Sequence, residues 1–288
     1  MTSPTISYEP PRFDWYQATV EMSGSDLVDL ALTALGDEAP VFVKGQNGYA
    51  RGWEIRRQGS RSALVLEGGQ QEFPHIVGTG PDAVAVARLV RRFSASVVHR
   101  VARCDVAVDT DSPGAFTALC DGLRATVRGS GVRGLLMHNP DSSADGATYY
   151  VGAKTSEVQA RLYEKGKQLP AAERPEWVRY ELQLRPQKER KTWAASTSET
   201  DLLGAARWSR SFASEYLDTT ASAPPTRSER VSDLEGALQT LTTQYGARLL
   251  ELLEIHAGDV GAFGQDLITR IEERGRGVGP GAALRSSA

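Results

Sequence analysis

The sequence is expected to fold as an α+β protein, an antiparallel sheet with helices on one face, followed by a C-terminal helical extension. Three observations lead there. Several segments alternate apolar and polar residues with a period of two, so that one face is greasy and the other charged, as in antiparallel strands half covered by helices. Other segments carry apolar residues at three- and four-residue steps, the mark of amphipathic helices. The 288 residues, 40% of them hydrophobic, suffice to bury a substantial core.

The elements follow in order. Residues 1–11 contain prolines and are expected to be flexible, and FDWYQATV then reads as a strand. SDLVDLALTALG is a helix capped by Ser25 and ended by Gly36. GYARGWEI and SALVLEGG are two further strands, the first placing Tyr49, Arg51, Trp53 and Ile55 on one side. GTGPDAVAVARLVRRF begins a helix in which Pro81 suits the first turn and Asp82 complements the dipole. HRVARCDVAVDTDSPGAF is a strand leading to a helix that starts near Ser112 and Pro113. Its period of two sends Cys104, Val106 and Val108 one way and Asp105, Ala107 and Asp109 the other.

Three further strands come next, the second with a hairpin partner. VRGLLMHN is one, ATYYVGA and QARLYEK form a hairpin, and WVRYELQLR puts Arg179, Glu181, Gln183 and Arg185 on one face. SETDLLGAARWSRSFASEYL has helical spacing and closes a main domain over residues 12–217. Residues 218–230, rich in Ser, Thr and Pro, are expected to be a linker. Residues 231–275 are expected to be a helical extension, whose first helix carries an apolar stripe from Leu234 to Ile255. That stripe can pack onto the main domain or form a homodimer with a second copy; the intramolecular arrangement is the commoner. Residues 276–288, rich in Gly, Ala and Ser, are expected to be disordered.

Composition removes several function classes. No apolar run approaches the ~20 residues a membrane span needs, and the N-terminus lacks the pattern of a signal peptide, so a cytoplasmic location is expected. Two cysteines, Cys104 and Cys120, are too few for a disulfide framework. Four histidines without a His-x-His pair exclude a histidine-cluster metal site, and no Gly-x-x-x-x-Gly-Lys-Ser/Thr loop is present. The net charge of −3 argues against a generally basic nucleic-acid protein, yet basic residues are concentrated locally. Arg88, Arg91, Arg92, Arg100 and Arg103 fall between Ala83 and Cys104 with no acid among them, and Arg185, Lys188, Arg190 and Lys191 crowd the end of a later strand. Taken alone, each cluster reads more simply as a solvated face.

The polar sheet face carries the chemistry. In QARLYEKGKQ, Arg161, Tyr163 and Lys165 occupy every second position. Were the strands adjacent, Asp105, Asp109 and Glu181 would lie beside this phenol and its two cations. Carboxylate oxygens suit a hard ion such as Mg²⁺ or Mn²⁺, and nearby positive charge favours a phenolate over its ordinary pKa of ~10. The bland alternative is a set of cross-strand ion pairs, Glu181 with Arg161 or Lys165. Pattern alone does not select Tyr163 from nine tyrosines, of which Tyr149, Tyr150 and Tyr180 also fall on expected strands.

The segments RCDVAVD, TYYVGAKTSEVQARLYEKGKQ and WVRYELQLR, in this order, resemble the core of the Rep_trans family of replication initiators found on plasmids and phages, over roughly residues 12–215. The motifs are Arg103-x-Asp105-x-x-x-Asp109, Thr148-x-Tyr150-x-Gly152, Arg161-x-Tyr163-x-Lys165 and Arg179-x-Glu181. Gln168 departs from the pattern, since many relatives have a glutamate there. The resemblance implies a rolling-circle initiator in which a tyrosine nicks one strand of double-stranded origin DNA, keeps the 5′-phosphate and frees a 3′-hydroxyl primer. It implies Tyr163 as nucleophile, Arg161 and Lys165 as stabilisers of the phosphate, and Asp105 and Glu181, with Asp109 as a third, as ligands of Mg²⁺ or Mn²⁺. Arg88, Arg91, Arg92, Arg179, Arg185, Lys188, Arg190 and Lys191 would contact DNA, and a host helicase would separate the strands. A relaxase acting on a transfer origin would share this chemistry. A non-catalytic DNA-binding regulator would share only the basic clusters, and an RNA-binding sheet would want aromatic residues where Asp105, Asp109 and Glu181 stand.

Overall fold

The computed structural model describes residues 6–93, 97–168, 174–225 and 231–275. In chain order the strands are β1 (Arg12–Val20), β2 (Val41–Lys44), β3 (Arg51–Arg57), β4 (Ser60–Glu67), β5 (His75–Thr79), β6 (His99–Thr110), β7 (Gly134–Met137), β8 (Thr148–Val151), β9 (Val158–Glu164) and β10 (Val178–Leu184). They form one ten-stranded sheet in the order β2-β3-β4-β5-β1-β6-β10-β9-β8-β7. Every pairing is antiparallel. The helices are α1 (Gly24–Leu35), α2 (Pro81–Arg92), α3 (Ala115–Val127), α4 (Arg190–Ser196), α5 (Glu199–Leu202), α6 (Arg207–Tyr216), α7 (Val231–Ile255) and α8 (Val260–Gly275). The α+β class and the C-terminal helices are as expected.

One face of the sheet is apolar because its strands alternate. Val101, Cys104, Val106 and Val108 of β6, Leu182 and Leu184 of β10, and Ala160 and Leu162 of β9 are buried in a single core with Phe13 and Tyr16 of β1. Helices cover this side: α1 packs on β3 and β4, α2 on β1 and β5, α4 on β6, and α3 on β9. Each fully buried aliphatic side chain contributes about 1.5–3 kcal/mol, so this covered face carries most of the stabilisation. The opposite face is left to polar side chains.

Local differences from the sequence reading have physical causes. The N-cap of α1 is Ser23, whose hydroxyl accepts from the backbone N–H of Asp26, rather than Ser25. Strands β2 and β5, at four and five residues, are too short to show a period. The segment expected as one helix over SETDLLGAARWSRSFASEYL breaks into α5 and α6 at Gly204, where an added Cβ would lie 2.2 Å from the Ser222 carbonyl. Residues 6–11 are tied down, Tyr8 donating its hydroxyl to the Tyr216 carbonyl and the Glu9 N–H reaching the Asp109 carbonyl at 2.8 Å.

The chain divides into two units, residues 1–225 and 226–288. Within the second, α7 and α8 are joined by a turn in which Ala257 and Gly258 have positive φ, and His256 Nε2 lies 3.1 Å from Asp266 Oδ2. The expected disordered tail, residues 276–288, lies outside the described residues. No described helix is long and apolar enough to cross a membrane.

Candidate active site

The site lies on the uncovered face, where β1, β6, β10 and β9 run side by side. Register fixes its rows. Arg179 of β10 stands opposite Asp109 of β6 and Tyr163 of β9; Glu181 opposite Ala107 and Arg161; Gln183 opposite Asp105 and Gln159. Ala107, with no side chain beyond Cβ, leaves a hollow between the flanking charged residues. Two glycines shape the surroundings of Tyr163. Gly152, at φ +87°, turns β8 toward β9, and Gly166 lets the chain bend after Lys165 where a Cβ would lie 2.3 Å from the Arg174 carbonyl.

Tyr163 donates its hydroxyl to Glu181 Oε2 at 3.3 Å, and the other Glu181 oxygen accepts from Arg161 Nη2 at 2.6 Å. The Arg161 guanidinium lies 5.3 Å and the Lys165 ammonium 5.6 Å from the centre of the Tyr163 ring. Lys165 does so from a 3₁₀ turn over Lys165–Gln168, since the strand stops at Glu164. The Tyr163 side chain faces the polar side yet is only 4% exposed, whereas Arg161 has 44% of its side chain in solvent.

The electrostatics differ from expectation in one respect. Burial, and then the charge of Glu181, push the Tyr163 phenol far above its ordinary value, more than Arg179 and Arg161 pull it down. A resting phenolate is therefore not what the cations produce; the ring is held protonated. Glu181 moves as well. Burial raises its carboxyl to about 7, Arg161 offsetting part and the neighbouring Asp105 and Asp14 adding to the rise.

The remaining expected residues are each engaged. Asp105 is held by Arg103 Nε at 2.9 Å, and Arg103 in turn stacks on the Trp15 ring at 4.3 Å. Asp109 is fully buried and accepts from Arg179 through both oxygens, at 2.7 and 2.9 Å, and from Arg12. Burial would raise its carboxyl, but the hydrogen bonds and charge of Arg179, with Arg12, outweigh that and hold it below the usual range. Thus the three acids expected to share a divalent ion are each paired with a guanidinium. Among the described residues, no three His, Cys, Asp or Glu side chains are placed to hold one metal ion. The donors are of the right chemistry for Mg²⁺ or Mn²⁺ but do not converge on a cage among the described residues.

The sequence reading missed Asp14. A register shift in β1 between Phe13 and Trp15 turns Asp14 and Trp15 both away from the core, and Asp14 Oδ1 accepts from Arg179 Nη1 at 2.7 Å. A broken alternation in FDWY was the available signal.

The expected DNA contacts divide. Arg185 faces the site side, donating to the Lys154 carbonyl at 3.0 Å. Arg179 differs from expectation, being 4% exposed and spent on Asp109 and Asp14. Arg91 also differs: it lies over the Phe13 and Tyr16 rings and donates to the carbonyls of Ala194 and Thr197, so it clamps α2 to the core. Arg88 and Arg92 are exposed, but α2 is in the helical layer, on the other side of the sheet from Tyr163. Arg190 is bound to Glu157 at 2.7 Å and to the Ala205 carbonyl; Lys188 and Lys191 lie near it, at and before the start of α4.

Comparison with known proteins agrees with this architecture. The Rep_trans model, described as replication initiation factor, matches residues 99–268. The chain belongs to the replication initiation factor family. The match runs from β6 through most of α8, so it includes helices that the motif resemblance over residues 12–215 left out. A rolling circle replication initiator protein from Geobacillus stearothermophilus has a similar fold, with a TM-score of 0.52 at 20% identity, covering 78% of this chain and 90% of that one. No curated protein matches this initiation factor.

Proposed function

We propose that this replication initiation factor nicks one strand of origin DNA by transesterification, with Tyr163 as nucleophile and Glu181 as the base that takes its proton, in a rolling-circle mode like that named for the Geobacillus protein. The observation that carries the reading is the contact of the Tyr163 hydroxyl with Glu181, flanked by Arg161 and Lys165.

The chemistry follows from the charges. A phosphodiester approaching the ring competes with Glu181 for Arg161, the exposed member of the pair. As the guanidinium turns to the phosphate, Glu181 loses the neighbour that lowers its pKa and becomes a stronger base. The phenol proton then passes to Glu181 Oε2 as the phenol oxygen bonds to phosphorus and the bond to the 3′-oxygen breaks. The 3′-oxygen departs on the side of the phosphorus opposite the phenol and takes a proton from water, while Glu181 returns its own to solvent, so the exchange is neutral overall. Arg161 and Lys165 oppose the charge that grows on the pentacoordinate phosphorus. A carboxyl with a pKa near neutrality suits such proton transfer. With no nucleotide-triphosphate loop in the sequence, strand separation falls to a separate helicase.

The test is trapping of a covalent protein–DNA adduct on supercoiled DNA bearing the cognate origin, as a function of pH. In the free protein the Glu181 carboxyl is protonated below about 7 and cannot accept, so the rate of adduct formation at limiting DNA is expected to climb as pH rises through that value. Glu181→Gln should lose the climb and most of the activity, by about 10²–10⁴-fold. A protein that binds the origin and never forms an adduct is a regulator, and the reading fails.

A further inference from the structure

Beside Tyr163 the polar face holds a cleft of about 290 Å³ that reaches past Arg161 and Glu181, which line one end of it, to residues the nicking chemistry does not use. Its floor includes Gln159 and Gln183, directly opposite one another on β9 and β10. They lie one two-residue step, about 7 Å, along the strands from Glu181 and Arg161. Tyr150, opposite Arg161 on β8, forms a wall, and Arg103 and Arg185 stand at the rim. The volume is at the low end of the roughly 300–1,000 Å³ of small-molecule sites, which suits a single nucleotide better than a length of strand.

Resting on the nicking reading, we propose that this cleft binds the unpaired nucleotide next to the scissile phosphate and reads its base, with adenine favoured. The argument is chemical. The Tyr150 phenol ring, only partly buried, offers a face on which any base can stack. An amide presents a donor and an acceptor together, and a glutamine pairs in that way with N6 and N7 of adenine. The two glutamines are the amide side chains lining the cleft, beside the Tyr150 phenol; its cations are Arg103, Lys154, Arg161 and Arg185, and its acid is Glu181. Gln159 Nε2 makes only a long bond, 3.4 Å, to the Gly152 carbonyl, so its amide is cheaply redirected to a ligand. Arg161, between cleft and Tyr163, can hold the phosphate that joins this nucleotide to its neighbour. Gln159 and Gln183 therefore set sequence preference at the nick and Tyr150 supplies stacking, while Tyr163 and Glu181 perform the cut.

The experiment is titration of the intact protein, and of its Tyr163→Phe variant, with each of the four deoxynucleoside monophosphates, followed by NMR. Both proteins should bind dAMP most tightly. The double variant Gln159→Ala/Gln183→Ala should lose the preference for dAMP by about tenfold, while Tyr150→Ala should weaken all four nucleotides about equally. Equal binding of all four to the intact protein, or a preference that survives in the double variant, would overturn the proposal. Since no bond is cut, a glutamine-dependent preference in a protein that forms no adduct would retain the cleft and reject the nicking chemistry. Adduct formation without any glutamine dependence would do the reverse.

Discussion

Tyr163→Phe should abolish the covalent protein–DNA adduct while leaving origin binding within about twofold of the parent. The change removes one oxygen and one hydrogen bond, to Glu181 Oε2, and keeps the ring between Arg161 and Lys165. Those cations, which meet the phosphate in the proposed mechanism, are unaffected, so affinity and its salt dependence should be retained. The proposed nucleophile is then gone, Tyr149 is buried on the helical side beneath Arg124, Tyr180 is fully buried in the core, and Tyr150 stands opposite Arg161 on β8, one strand further from Glu181 than Tyr163 is. Loss of one fold or two in rate is not the expectation; the adduct should fall to background on a denaturing gel. An adduct formed as fast by Tyr163→Phe would move the reaction to another residue.

Arg179→Met should lower stability by about 3–5 kcal/mol, the cost of stranding buried acids that have lost their cation. Arg179 is the hub of the polar face, bidentate to Asp109 and bonded to Asp14, with 5% of its side chain exposed. Without it Asp109 keeps only Arg12 and Asp14 loses its bond. For a unit of this size the loss corresponds to a Tm drop of roughly 6–20 °C. Adding Asp109→Asn to Arg179→Met should restore part of it, since the neutral amide no longer requires a cation. A melting curve for Arg179→Met within 2–3 °C of the parent would show that the network contributes little. Stability and chemistry meet at this residue, because Arg179 stands opposite Tyr163 in register and its charge acts on the phenol.

Much of the site is legible in the sequence, for a definite reason. Asp105, Glu181, Arg161 and Tyr163 were placed on one face because the residues between them are apolar and the period of a strand is two; a face that must bury Val106, Leu182 and Leu162 leaves no choice for their neighbours. Pairing was not legible. Whether Glu181 faces a metal, an arginine or a tyrosine depends on the register between β10 and β9, which no local pattern encodes. The same holds for Arg91 and Arg179, which look like free cations in the sequence and prove to be internal clamps. Asp14 was hidden by the irregularity of β1, the feature that turns it toward Arg179. Proximity of charge also misled as to sign. Two cations beside a phenol suggest a phenolate, but a ring buried against a carboxylate stays protonated, which makes Glu181 the partner that matters.

The most direct measurement is the identity of the peptide left on nicked DNA after tryptic digestion, read by mass spectrometry. Cleavage after Arg161 and Lys165 should release the segment 162–165 with the nucleotide attached through Tyr163. Recovery of the nucleotide on the segment 134–154, which carries Tyr149 and Tyr150, would contradict the account.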